Sequence, residues 1–132
     1  MAITKMFRDR VVSMEQTWDL GEIIDLVESR DADVLMLDPL ANLGTLHVVD
    51  FRDLRRRLAG KDWSRKWLVV DGTMTSGGID LVSLFDQPNH PSILYYESGS
   101  KYLQFGLDLQ MAGIVVARKA HAPALSHHRR NL

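Results

Sequence analysis

Apolar and polar positions fall into short alternating blocks along this 132-residue chain. Residues 1–18 show no clear period and read as a lead-in or an edge strand. From there a helical period begins, with Leu20, Ile23, Ile24 and Val27 on one face. Asp19 can cap that helix, and Glu22 three residues on completes a capping box, so a helix is expected over 20–29. Val34-Leu35-Met36-Leu37 is a continuous apolar run between turn residues, the pattern of a strand buried on both faces of a parallel sheet. A loop with Pro39, Asn42 and Gly44 follows. Asp50 can cap a second helix over 51–59, whose inward face is Phe51, Leu54 and Leu58 and whose end is marked by Gly60. Its other face carries Arg52, Arg55, Arg56 and Arg57, which read as a solvated face.

Trp67-Leu68-Val69-Val70 is a second apolar run, stopped by Asp71-Gly72. Thr73 to Gly78 is polar, and Ile79 to Phe85 is a short apolar segment. After a loop marked by Pro88 and Pro91, Ile93-Leu94-Tyr95-Tyr96 and Ile114-Val115-Val116-Ala117 predict third and fourth strands. Strands alternating with helical segments imply an α/β fold with a mostly parallel, doubly wound sheet, expected over 19–119. Residues 120–132 hold proline, adjacent histidines and Arg129-Arg130, and read as a flexible tail.

Length allows one domain rather than two. Sixteen basic against seventeen acidic residues give a net charge of −1, which argues against a general nucleic-acid binder. The chain has no cysteine, removing disulfides, zinc-thiolate sites and thiol catalysis together. No apolar run approaches the ~18 residues of a membrane span, and the charged N-terminus lacks the apolar stretch of a signal peptide. A cytoplasmic protein, off the membrane, is the expectation. No metal site is expected either, because His127 and His128 are adjacent and, with His121, lie in the tail.

In a parallel α/β sheet, ligands bind beyond the carboxyl ends of the strands. Three polar clusters stand there: Asn42 after the first strand, Asp71 after the second, and Ser98-Gly99-Ser100-Lys101 after the third. A carboxylate placed directly after four apolar residues is costly unless a cation or hydrogen-bond donor meets it. An acid, a lysine amine and hydroxyl donors in this order match the needs of pyridoxal 5'-phosphate. That cofactor takes an amine for covalent attachment, an acid for its ring nitrogen and donors for its phosphate. Asp71 before glycine is also a turn signal, and Lys101, Ser98, Ser100 and Asn42 are also ordinary loop residues. Ser98-Gly99-Ser100-Lys101 matches Ser-x-x-Lys as well, but the companion Ser-Asp-Asn and Lys-Thr-Gly elements of serine acyl-transfer enzymes are missing.

Leu68-Val69-Val70-Asp71-Gly72-Thr73-Met74, Tyr96-Glu97-Ser98-Gly99-Ser100-Lys101-Tyr102 and Gly106-Leu107-Asp108 to Gly113 together resemble part of the large domain of fold-type I pyridoxal-phosphate enzymes. The Cys/Met-metabolism (trans-sulfuration) family is the nearest look-alike. Asp38-Pro39-Leu40-Ala41-Asn42-Leu43 echoes that family's acidic-x-Pro-x-Asn-Pro loop. The resemblance covers roughly Asp19 to Lys119. It implies that Lys101 carries the cofactor and then serves as base at the substrate's α-carbon. It also implies that Asp71 holds the ring nitrogen, Ser98 and Ser100 the phosphate and Asn42 the ring hydroxyl oxygen, with Thr73 beside the ring.

Departures accompany the likeness. Leu43 replaces the family's proline and Gly72 its usual asparagine. The glycine-bearing phosphate loop, the ring-stacking aromatic, the tyrosine-arginine clamp and the arginine for the substrate carboxylate have no counterpart in this sequence. The expectation is a cofactor-binding component acting on an amino-acid substrate by elimination or replacement. A second polypeptide, or further copies of the chain, would complete it. Two readings of other classes stand beside it: a non-catalytic interaction subunit with the same sheet, and an unrelated doubly wound binding domain.

Overall fold

A computed structural model of the chain describes residues 19–40, 47–76, 78, 80–99 and 112–129. The elements run in the order α1 (Leu20–Ser29), β1 (Val34–Leu37), α2 (Phe51–Arg57), β2 (Trp67–Asp71), α3 (Leu81–Leu84), β3 (Ser92–Ser98) and β4 (Gly113–Ala117). A 3-10 turn (Lys119–His121) then leads into α4 (Ala122–Arg129). The four strands form one sheet in chain order, β1-β2-β3-β4. β1, β2 and β3 are parallel, while β4 returns antiparallel beside β3. The chain therefore has an α/β fold with a mostly parallel sheet.

Local chemistry sets the helix starts. Asp19 accepts the amides of Gly21 and Glu22, and Asp50 accepts those of Arg52 and Asp53. Each side chain thus satisfies two of the donors that a helix N-terminus leaves unpaired. Past α2, Gly60 turns the chain away with φ +81, a conformation that favours glycine.

Among the described residues, the buried aliphatic and aromatic side chains join one core. Leu20, Ile23, Ile24 and Val27 of α1, Phe51 and Leu54 of α2, and Leu81 of α3 meet Leu37, Leu68, Val70, Ile93 and Tyr95 of the strands, with Trp63 and Phe85 from connections. Register puts those strand residues on one face. The opposite face carries Val34, Met36, Trp67, Val69, Leu94, Tyr96 and Val115, none of them buried, and Val34, Met36 and Val115 are 52%, 51% and 54% exposed. The expectation that the Val34–Leu37 run is buried on both faces is thus corrected, since an apolar run does not say which layers cover it. A doubly wound sheet needs helices on both faces, and α1, α2 and α3 all put their apolar sides into one core.

The expectation of an unstructured tail from residue 120 is likewise corrected for Ala122–Arg129, which forms α4. Pro123 in its first turn needs no intrahelical partner there, and residues 122–127 are exposed. The His121 ring lies 4.7 Å from that of Trp67 at 49°, bringing the start of this segment to the open face. Among the described residues no helix is long and apolar enough to cross a membrane.

Candidate functional site

Parallel pairing of β1, β2 and β3 opens their carboxyl ends on the same side, and there the polar clusters begin. Asp71 is the last residue of β2 and pairs in register with Tyr96 of β3. Both side chains therefore stand on the same face, the open one. The Tyr96 hydroxyl donates to Asp71 Oδ2 at 3.1 Å. The Thr73 amide donates to Asp71 Oδ1 at 3.0 Å, closing a turn on the strand end. Among the described residues Asp71 has no ion-pair partner, so neutral donors hold this half-buried carboxylate.

Thr73 is buried, and its hydroxyl oxygen accepts the amide of Ser98 at 3.0 Å. This bond clamps the turn after β2 to the end of β3. Asp71, Thr73 and Ser98, separated in sequence, are thus brought together. One step further, the Gly99 amide donates to the Ala112 carbonyl at 2.8 Å, so the chain leaves β3 and re-enters toward β4 at the same place. Asn42, Ser100 and Lys101 lie outside the described residues.

Burial, reinforced by the charge of Asp71, the bond to it and the charge of Asp38, pushes the Tyr96 phenol up to about 12. Its proton therefore stays in place at neutral pH, and the hydroxyl remains a donor. Tyr96 stands inside the sequence motif without any role drawn from it. The signal that could have found it is the strand alternation together with the β2–β3 register, which puts residue 96 opposite residue 71.

On the inner face a second cluster supports the first. Tyr95 donates to Glu97 Oε2 at 2.7 Å, and both residues are buried. The Tyr95 hydroxyl also lies 3.3 Å from the Gly72 carbonyl, which accepts the amides of Thr75 and Ser76. A Cβ built on Gly72 would stand 2.0 Å from the Tyr95 ring carbon Cζ and from its hydroxyl oxygen. Glycine at this position thus has a physical reason, since the Tyr95 ring fills the space that a side chain would need.

No family model matches the chain. No solved structure matches it. Among curated proteins, the "Bifunctional enzyme flvA" of Aspergillus flavus is 40% identical over 109 residues, which are 82% of this chain and 13% of that protein. The chain spans about an eighth of the length of this relative.

Proposed function

We propose that this chain is the cofactor-binding centre of a pyridoxal-phosphate enzyme of fold type I, resembling the trans-sulfuration family. It would act on an amino-acid substrate by elimination or replacement at the side chain. The observation that carries the reading is the convergence of Asp71, Thr73 and the Ser98-Gly99 strand end at one end of a parallel sheet. Lys101 follows Gly99 by two positions in the sequence.

The donor set fits the cofactor's ring. A carboxylate offers about four acceptor sites. Asp71 uses one on each oxygen for a neutral donor, leaving capacity for a charged ring N–H. A half-buried carboxylate with no ion-pair partner among the described residues gains from such a cation. When bound, pyridoxal phosphate supplies an electron sink for bond cleavage at the substrate's α-carbon. Asp71 would hold the proton on the ring nitrogen, and Thr73 would keep the β2 turn against β3. Lys101 would carry the cofactor and move the α-proton, while Ser98, Ser100 and Asn42 would contribute polar contacts to its phosphate and ring oxygen.

Two further observations bear on the coarser part of the reading, an enzyme component that a second layer completes. The relative's name describes an enzyme, and it holds the matching stretch within a much longer chain. The open sheet face, with Val34, Met36 and Val115 half-exposed, asks for a second layer that another polypeptide or another copy would supply.

The test is direct. The purified chain mixed with pyridoxal phosphate should develop visible absorbance, and borohydride followed by peptide mapping should find the cofactor on Lys101. Lys101→Ala should lose the adduct and keep its melting temperature. Asp71→Asn should weaken retention about ten- to a hundredfold, the loss of one charge-assisted bond. An adduct on a different lysine refutes the role of Lys101. A chain that binds no cofactor, alone or with a co-purifying partner, refutes the proposal and leaves the interaction-subunit reading.

A further inference from the structure

The Asp71 carboxylate is held from two sides. Thr73, on the same loop, fixes Oδ1 through its amide at 3.0 Å. Tyr96, on the neighbouring strand, fixes Oδ2 through its hydroxyl at 3.1 Å. One donor on each oxygen sets the plane of the carboxylate. A single donor would leave it free to pivot about that bond. The second donor comes from a rigid place, since β3 pairs along its length with β2 on one side and β4 on the other.

We propose that Tyr96 is a positioning residue for the cofactor's ring: its hydroxyl holds Asp71 in the one orientation that presents an oxygen to the protonated ring nitrogen. This rests on the proposed function and adds to it a residue that the sequence motif left without a role. The high pKa of the phenol supports it, because a tyrosine near 12 keeps the proton that it donates to Asp71 throughout the working range. The chemistry also separates holding from charge. A donor on Oδ2 withdraws negative charge, so by charge alone its removal would strengthen the grip on a cationic ring. By orientation, its removal loosens that grip. The two effects have opposite signs.

The experiment uses the full chain with pyridoxal phosphate labelled with 15N at the ring nitrogen. Tyr96→Phe keeps the ring and removes only the hydroxyl. The expected result is a dissociation constant about three- to tenfold higher, the loss of roughly one hydrogen bond. The ring 15N signal should move from the protonated toward the unprotonated position. In an Asp71→Asn background the same change should add nothing further, because the group being held is gone. A merely structural tyrosine would lower the melting temperature of Tyr96→Phe and leave the 15N signal of the bound ring unmoved, which overturns the proposal. Tighter binding by Tyr96→Phe overturns it too, by showing that charge outweighs orientation. Wild-type binding with a silent Tyr96→Phe removes only this inference, whereas a wild-type chain that takes up no cofactor removes the proposed function and this role with it.

Discussion

Replacing Gly72 by alanine should unfold this protein at a markedly lower temperature, and the structure allows the size to be worked out. The new Cβ would lie 2.0 Å from Cζ and the hydroxyl oxygen of Tyr95 and 2.1 Å from Cε2, where ordinary contact begins at 3.4 Å. The ring must therefore retreat by about 1.4 Å. It has little room to do so, being 6% exposed and anchored to Glu97 at 2.7 Å. Overpacking of a core costs about 1–3 kcal/mol. Leaving the buried Glu97 carboxylate without its donor costs about 1–3 kcal/mol more, so about 2–6 kcal/mol in all. A glycine-to-alanine change without steric conflict stabilises by about 0.4–1 kcal/mol through the unfolded chain. Gly72 is not among the glycines with positive φ, so the backbone effect opposes the clash. At roughly 2–4 °C per kcal/mol for a chain of this size or somewhat larger, the melting temperature should fall by about 5–20 °C. Circular dichroism melts of Gly72→Ala, Tyr95→Val and the double variant test the reasoning. The double variant should be more stable than the sum of the single losses, because the valine vacates the space that the alanine enters. A Gly72→Ala protein melting within about 2 °C of the parent, no more than the shift of 1 kcal/mol, refutes the argument.

Three further outcomes are expected. Asp50→Ala should cost about 1 kcal/mol by freeing the amides of Arg52 and Asp53 at the start of α2, and a urea titration with unchanged slope reads it. His90 accepts the Gln87 amide on Nδ1, and burial first, then the Arg55 charge, holds its pKa below the usual 6.5. Below about pH 6.5 the unfolded chain therefore takes up a proton that the folded chain refuses, and stability falls as pH falls toward the folded value. Melts between pH 7 and 5 should show that slope, and a His90→Asn variant that keeps the full slope would contradict the assignment. Finally, light scattering should give an apparent mass that rises with concentration, or a co-purifying chain, because of the half-exposed apolar face. A monodisperse monomer that also binds pyridoxal phosphate tightly would count against the need for a second layer.

The parts of the fold legible in the sequence were those set by near neighbours. α1 is found where its cap and period put it, and Leu20, Ile23, Ile24 and Val27 are all buried as that period requires. β2 and β3 follow from apolar runs ended by Asp71 and by the Ser98 cluster. β3 extends beyond the apolar run to Ser98 because Glu97 is accommodated by Tyr95 rather than by water. What stayed illegible depends on register or on layers. Nothing in Val34-Leu35-Met36-Leu37 distinguishes a central strand from one with an open face. The Asp71–Tyr96 bond needs the pairing of two strands 25 residues apart. The Gly72–Tyr95 fit joins two positions 23 residues apart. α4 has no apolar period to betray it.

The strands lie side by side in the order in which the chain is made. Nothing synthesised later has to be threaded between strands already paired, so the sheet can grow outward from the first strand as the polypeptide emerges. Among the described residues each outer strand has one unpaired edge, and the two edges belong to the earliest and the latest strand. Such an arrangement can sit within a longer polypeptide without redrawing its interior, and the stretch it matches makes up 13% of its fungal relative.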